Sequence, residues 1–246
     1  MIFKIKISDK TIEIHSLFDA VYKHCSEYIT QSDGADITVK ITPEDIAAEK
    51  EKALNEQNFK GEVAPGLPDS LLEINAVYRK ICSALIHHSV ILLHGSAVAA
   101  EGKAYVFIAP SGTGKTTHTN LWLKNIPGSF IINGDKPLLR VTDGKAMVYG
   151  TPWCGKEGLQ TNTNVDLKAI IVLERAENNS ITKIDFKEIF PTLLGQTYRS
   201  TNKSDTLKTV EIINKISQSV EFYRIKCNML DEASSLAFAY MNNSPI

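Results

Sequence analysis

Apolar and polar positions alternate twice in the first fifteen residues, at Phe3, Ile5 and Ile7 and again at Ile12 and Ile14, across the turn Ser8-Asp9-Lys10. A period of two predicts two strands. The spacing becomes helical at Phe18, Val21, Tyr22, Cys25, Tyr28 and Ile29, then alternates again at Ile37, Val39 and Ile41. Thr42-Pro43-Glu44-Asp45 opens a helix with a hydroxyl cap, a proline in the first turn and acids behind it. That helix runs to about Asn58, is rich in Glu and Lys, and is expected to be mostly solvated. Asn58 to Pro68 holds two glycines and two prolines and is the linker candidate. Asp69 or Ser70 then caps a helix whose broad apolar face carries Leu71, Leu72, Ile74, Val77, Tyr78, Ile81 and Leu85.

From Val90 the pattern turns to short apolar strands. Val90–Leu93 leads into His94-Gly95-Ser96, and Ala97–Ala100 and Ala104–Ile108 flank Glu101-Gly102-Lys103 as a hairpin. Phe130–Asn133, Leu138–Val141 and Ala146–Tyr149 follow, then Leu167–Glu174 and Ile181–Asp185. Helical patterns occupy 187–199 and 205–218, with a strand at Val220–Cys227 and a closing helix at Asp231–Met241. The whole predicts a small α+β region over 1–66 and an α/β domain with a mixed sheet over 67–246.

Composition narrows the classes. The chain has 246 residues, 43% of them hydrophobic, enough for a real core. A net charge of −1, with Lys and Arg scattered, argues against a nucleic-acid surface. No apolar run approaches a membrane span, and the N-terminus reads as neither signal peptide nor anchor. Cys25, Cys82, Cys154 and Cys227 are far apart without C-x-x-C pairing, so a reduced, cytoplasmic protein is expected.

The stretch with the most chemistry is Ala109-Pro110-Ser111-Gly112-Thr113-Gly114-Lys115-Thr116-Thr117, between an apolar strand and a helical pattern. Strand, glycine loop and helix is the setting of a P-loop. Gly112 and Gly114 let backbone N–H groups converge on a polyphosphate, and the helix N-terminus adds partial positive charge. Lys115 is placed to reach the β- and γ-phosphates, and the Thr116 hydroxyl to take a place on Mg²⁺. Ala109 stands where the standard pattern has glycine. The alternative is an ordinary strand-to-helix turn.

Phosphoryl transfer also needs a carboxylate for the metal and a group for the acceptor's proton. Asp135 follows the strand Phe130–Ile132, where an acid reaches the metal edge; its alternative is a turn aspartate in Asn133-Gly134-Asp135. His94 ends the strand before the hairpin, where a lone histidine is commonly structural. His118, in the first turns of the loop helix, is expected to be exposed. Gly150-Thr151-Pro152-Trp153-Cys154-Gly155-Lys156-Glu157-Gly158 follows a strand. Lys156 is a candidate for neutralising phosphate and Glu157 for orienting an acceptor, or else Trp153 merely plugs the core. Arg199 is a candidate phosphate clamp.

His94-Gly95-Ser96-Ala97, then Ser111 to Thr117, then Gly134-Asp135 resembles the kinase core of the phosphoenolpyruvate carboxykinases and the catalytic domain of HPr kinase/phosphorylase. The resemblance covers about residues 86–140. It implies that Lys115 and Thr116 bind phosphate and metal, and that His94 sits beside the metal or assists the catalytic acid. Asp135 matches the second acid of a D-D pair, a metal ligand in one family and the proton acceptor in the other. Gly134 stands in place of the first acid, so either Asp135 serves alone or Glu157 or Asp143 assists. There is no counterpart of an oxaloacetate-binding domain, so carboxykinase activity is not expected. The expectation is a P-loop, ATP- and Mg²⁺-dependent kinase acting on a serine-type hydroxyl of a protein, peptide or small molecule. Ser111, Gly112, Thr113, Gly114, Lys115, Thr116 and Thr117 would bind nucleotide, and Thr116 and Asp135 the metal. The alternative is a nucleotide-binding regulatory module without transfer. No nucleic-acid or membrane partner is expected, and homo-oligomerisation is left open.

Overall fold

The structure, a computed structural model, describes residues 1–60, 66–200, 202–228 and 230–243. They divide into two compact units, Met1–Leu85 and Ile86–Ile246. The linker expected at 58–68 includes residues 61–65, which lie outside the described residues.

In the first unit, β1 (Ile2–Ile7) and β2 (Lys10–His15) pair antiparallel, and β3 (Ile37–Lys40) joins β2 in parallel. Ser8 and Asp9 have φ of 49° and 59°, the two left-handed residues that a tight hairpin turn requires. The helical spacing at 18–29 yields only α1 (Ala20–His24) and a 3-10 turn at Ser26–Tyr28. The chain then pairs with β1, as the Thr30 N–H bonds to the Lys4 carbonyl, and this ends the helix. Two long helices follow, α2 (Pro43–Lys60) and α3 (Asp69–Ile86). α2 is mostly exposed, as its composition suggests; of its described side chains only Ile46 and Glu49 are buried, Glu49 between Lys52 and Arg79. Glu73 of α3, fully buried, accepts from the Leu17 and Phe18 amides and so satisfies its charge.

The second unit is a curled mixed sheet. Its strands are β4 (Val90–Leu92), β5 (Ser96–Ala100), β6 (Lys103–Ile108), β7 (Phe130–Asn133), β8 (Leu138–Thr142), β9 (Lys145–Tyr149), β10 (Asn164–Arg175), β11 (Ser180–Lys183) and β12 (Glu221–Cys227). They lie in the order β4-β8-β9-β10-β6-β5-β7, with β12 also beside β10 and β11 beyond it. Along one side of β10, the first residues pair with β9 and the later ones with β12, which is where the sheet curls. The helices are α4 (Lys115–Asn125), α5 (Phe186–Gln196), α6 (Lys203–Ile216) and α7 (Asp231–Asn242). Alternate residues of β6 feed two cores. Val106 and Ile108 pack with Ile189, Leu193, Ile212 and Ile216 of α5 and α6, while Tyr105 and Phe107 pack with Trp122, Ala233 and Ala237 of α4 and α7. Burial on both faces explains why these strands read as continuous apolar runs. α5 stops three residues short of expectation because Thr197 and Tyr198 extend beside the end of β4. Among the described residues, no helix is long and apolar enough to cross a membrane.

His118 corrects the expectation of an exposed side chain: it is fully buried. Trp122 Nε1–H donates to its Nε2 at 3.2 Å, and Cys227 Sγ lies 4.0 Å from its Nδ1. Indole is donor-only, so Nε2 is the acceptor and the neutral ring carries its proton on Nδ1. Burial pushes the imidazole down to about 4. Above pH 6.5 both folded and unfolded states are neutral here. Below it the unfolded chain takes a proton that the folded chain refuses, so stability falls between about pH 6.5 and 4. The loss from this residue should reach about 3 kcal/mol. Urea unfolding across that range should show a steeper decline for the wild type than for His118→Gln; equal slopes would contradict the assignment.

Candidate functional site

Strand direction gathers the candidate residues. β5 runs antiparallel to both β6 and β7, whereas β10 and β12 run parallel to β6. The ends of β6, β7, β10 and β12 and the start of β5 therefore share one edge of the sheet.

From β6 the chain turns through Ala109–Gly114 into α4. Gly112 and Gly114 adopt φ of +77° and +113°, which a side chain would strain. Gly114 caps α4 without a side-chain bond, so the amides of the first turn have no such partner and the positive end of the helix dipole faces outward. Lys115 is largely buried and donates Nζ to the Ala109 carbonyl at 2.9 Å and that of Pro110 at 3.4 Å. Burial lowers its pKa, opposed by the charge of Asp135. Thr113 Oγ1 donates to the Pro110 carbonyl, Thr116 is half-buried, and Ser111 and Thr117 are exposed. Arg175, ending β10, braces the loop from the side: Nε donates to Thr113 O at 2.9 Å and Nη2 to Gly112 O at 2.6 Å. The sequence reading missed Arg175; its only signal was an arginine closing an apolar strand.

Asp135 sits beyond β7 in a side-chain-braced turn. Asn133 Oδ1 accepts from the amides of Asp135 and Lys136, at 2.9 and 2.6 Å, and its Nδ2 donates to Thr151. Asn133 is thus a positioning residue that sequence reasoning passed over, although Asx turns have this signature. The His94-Gly95-Ser96 segment clamps the same turn, with Gly95 N–H on the Asp135 carbonyl at 2.9 Å and Ser96 Oγ on the Gly134 carbonyl at 2.7 Å. A Cβ at Gly95 would lie 2.8 Å from the Phe107 carbonyl of β6, so only glycine permits this approach. His94 Nε2 consequently stands 3.3 Å from Asp135 Oδ1, and Lys136 Nζ 3.1 Å from Oδ2. Burial would raise the Asp135 pKa, but the His94 hydrogen bond and Lys136 outweigh it and hold the carboxyl at about 2.

The 150–161 loop closes over this turn. The Gly134 amide bonds to the Leu159 carbonyl at 2.9 Å, and a Cβ at Gly134 would meet the carbonyls of Cys154 and Leu159 at 3.1 and 3.3 Å. Trp153 is buried, while Lys156 and Glu157 are exposed. A Cβ at Gly155 would lie 3.6 Å from both the Asp135 Cγ and Glu157 Oε2, so the two carboxyl groups flank one position. Asp143 lies at the far tip of the β8–β9 hairpin, about 17 Å of strand away from that end. Exposed Arg199 follows the segment paired with Leu92–His94, where the His94 amide bonds to the Gln196 carbonyl at 2.7 Å. His94, Lys115, Asp135 and Glu157 are brought together; Asp143 is not.

No family model and no curated protein matches this chain. Among solved structures, it is similar to the Hpr(Ser) kinase/phosphatase from Coxiella burnetii, at 8% identity and a TM-score of 0.36, over 62% of this chain and 97% of that one.

At Gly134, backbone oxygens of the 150–161 loop crowd the space that any side chain would need. Gly134→Asp should therefore lower stability by about 2 kcal/mol or more. Thermal unfolding measures it, and an unchanged midpoint would contradict the packing.

Proposed function

We propose that the second unit is an ATP- and Mg²⁺-dependent phosphotransferase that passes the γ-phosphate to a hydroxyl of a protein, peptide or small molecule. The observation that carries this reading is the placement of the His94–Asp135 pair within the electrostatic reach of Lys115, at the uncapped start of α4. Backbone amides of 111–117 and Lys115 hold the phosphates, Lys115 exchanging its bonds to loop carbonyls for phosphate oxygens.

The donors fit a magnesium ion that keeps waters and phosphate oxygens in its shell. Thr116 offers a hydroxyl and Asp135 a carboxylate, and among the described residues no cluster of three or more His, Cys, Asp or Glu side chains forms a protein-only cage. When bound, the ion neutralises charge on the phosphate oxygens. Asp135 accepts a hydrogen bond from the acceptor hydroxyl and takes its proton as oxygen bonds to phosphorus and ADP departs. A carboxylate this acidic is a weak base, which suits a transfer driven by positioning and charge. His94 holds that carboxylate in orientation, and Glu157 is the second acid, reached from the loop instead of from position 134. Lys156 and Arg199 are assigned to the acceptor side, where either can pair with a phosphate. The reaction is intracellular in this reading.

The missing acid at Gly134 favours one rival, a nucleotide-binding regulatory module that does not transfer. Incubation with γ-labelled ATP separates them: label should move to water or to a hydroxylated acceptor, whereas tight binding without turnover favours the module. Asp135→Asn should lower turnover about 10²- to 10⁴-fold and leave nucleotide affinity within a few-fold; retained turnover removes Asp135 from its role. Lys115→Ala should weaken ATP binding about ten- to a hundredfold by calorimetry, and unchanged affinity would count against the loop assignment.

A further inference from the structure

A triphosphate gripped at the end of β6 has two directions in which to lie along the shared sheet edge. His94 and Asp135 stand on the β5–β7 side, so the terminal phosphate points there, on the reading proposed above. The nucleoside must then extend the other way, over the ends of β10 and β12. A cavity of about 600 Å³ lies there, within the size range of small-molecule sites. Asn178 and Asn179 come from the loop after β10, Asn228 follows β12, and Glu232, Ser235 and Leu236 are on α7.

Two contacts tie the strands that lead into the cavity to the loop and its helix, while Asp231 in the lining bonds to Lys124 and Asn125 in the last turn of α4. Arg175, three residues before Asn178, holds the carbonyls of Gly112 and Thr113. Cys227, immediately before Asn228, has its sulfur 4.0 Å from His118 in the first turns of α4. Asn228 is itself fixed: its amide bonds to Asn179 Oδ1 and its Nδ2 to the Glu177 carbonyl, both at 3.0 Å. The rim is built before any ligand arrives. Its chemistry is the opposite of the loop's. Asp231, also lining the cavity, is paired with Lys124, and Glu232 is exposed beside it. The acids repel phosphate, acids and amide oxygens accept from ribose hydroxyls and from the N–H edge of a base, and Leu236 gives the base an apolar contact.

We infer that this asparagine-lined cavity is the nucleoside subsite, taking the base and ribose of the nucleotide whose phosphates the 109–117 loop holds. Magnesium tripolyphosphate, which has the phosphates and no nucleoside, separates the two halves. Wild type should bind MgATP more tightly than magnesium tripolyphosphate. Ser235→Trp replaces an exposed helical side chain with one that fills the cavity. It should weaken MgATP at least tenfold while tripolyphosphate affinity stays within twofold. Asn178→Ala, a milder change, should move in the same direction by a few-fold. Unchanged ATP affinity in Ser235→Trp, or a parallel loss of tripolyphosphate binding, would overturn the subsite. If wild type binds neither ligand, the phosphate-loop reading fails first and the subsite with it. Retained tripolyphosphate binding with no preference for ATP overturns the subsite alone.

Discussion

Two hydrogen bonds from one short segment hold the site together, Gly95 N–H to the Asp135 carbonyl and Ser96 Oγ to the Gly134 carbonyl. They lace the start of β5 to the turn beyond β7. Gly95 also lies so near the Phe107 carbonyl that the segment is pressed against β6, the strand that feeds the glycine loop. Remove either constraint and the histidine, the aspartate and the lysine are three unrelated polar residues on a sheet edge. With both, residues 94, 115 and 135 meet although twenty or so positions of chain separate each from the next.

The electrostatics follow from that meeting. A lysine as buried as Lys115 has little water, and it is kept partly satisfied by two loop carbonyls and the field of Asp135. Asp135 in turn has His94 on one oxygen and Lys136 on the other. The result is a pre-positioned set of charges beside the positive end of α4, the kind of preorganisation on which the proposed phosphoryl transfer would draw. Arg175 and the cavity past it extend the same edge with reversed chemistry, from cationic and amide-rich to acidic and amide-lined.

The sheet and most helices were legible because burial on one or both faces writes itself as periodicity. Val106 and Ile108 against Tyr105 and Phe107 is such a case. The failures have a common physical origin in partners distant in sequence. The spacing at 18–29 looked like a full helix, but pairing with β1 claimed its last residues. His118 read as exposed because a polar residue near a helix start usually is, and only the indole of Trp122 and the sulfur of Cys227 make its burial tolerable. At the site, Lys115 and Asp135 were visible from the residue types beside a glycine loop and a strand end. Asn133 was passed over although its Asx turn has a local signature, whereas Arg175 and the closure of the 150–161 loop over Gly134 were not legible, because each acts on backbone atoms whose position no motif encodes.

The central claim is directional: phosphates at Lys115, terminal phosphate toward Asp135, nucleoside toward β10 and β12. A crystal structure with Mg²⁺ and a non-hydrolysable ATP analogue tests it most directly. The account predicts Lys115 Nζ on the phosphates in place of the Ala109 carbonyl, and the γ-phosphate and metal beside Asp135. A nucleotide bound elsewhere, or one lying with its γ-phosphate over Arg175 and its base beside His94, would contradict it.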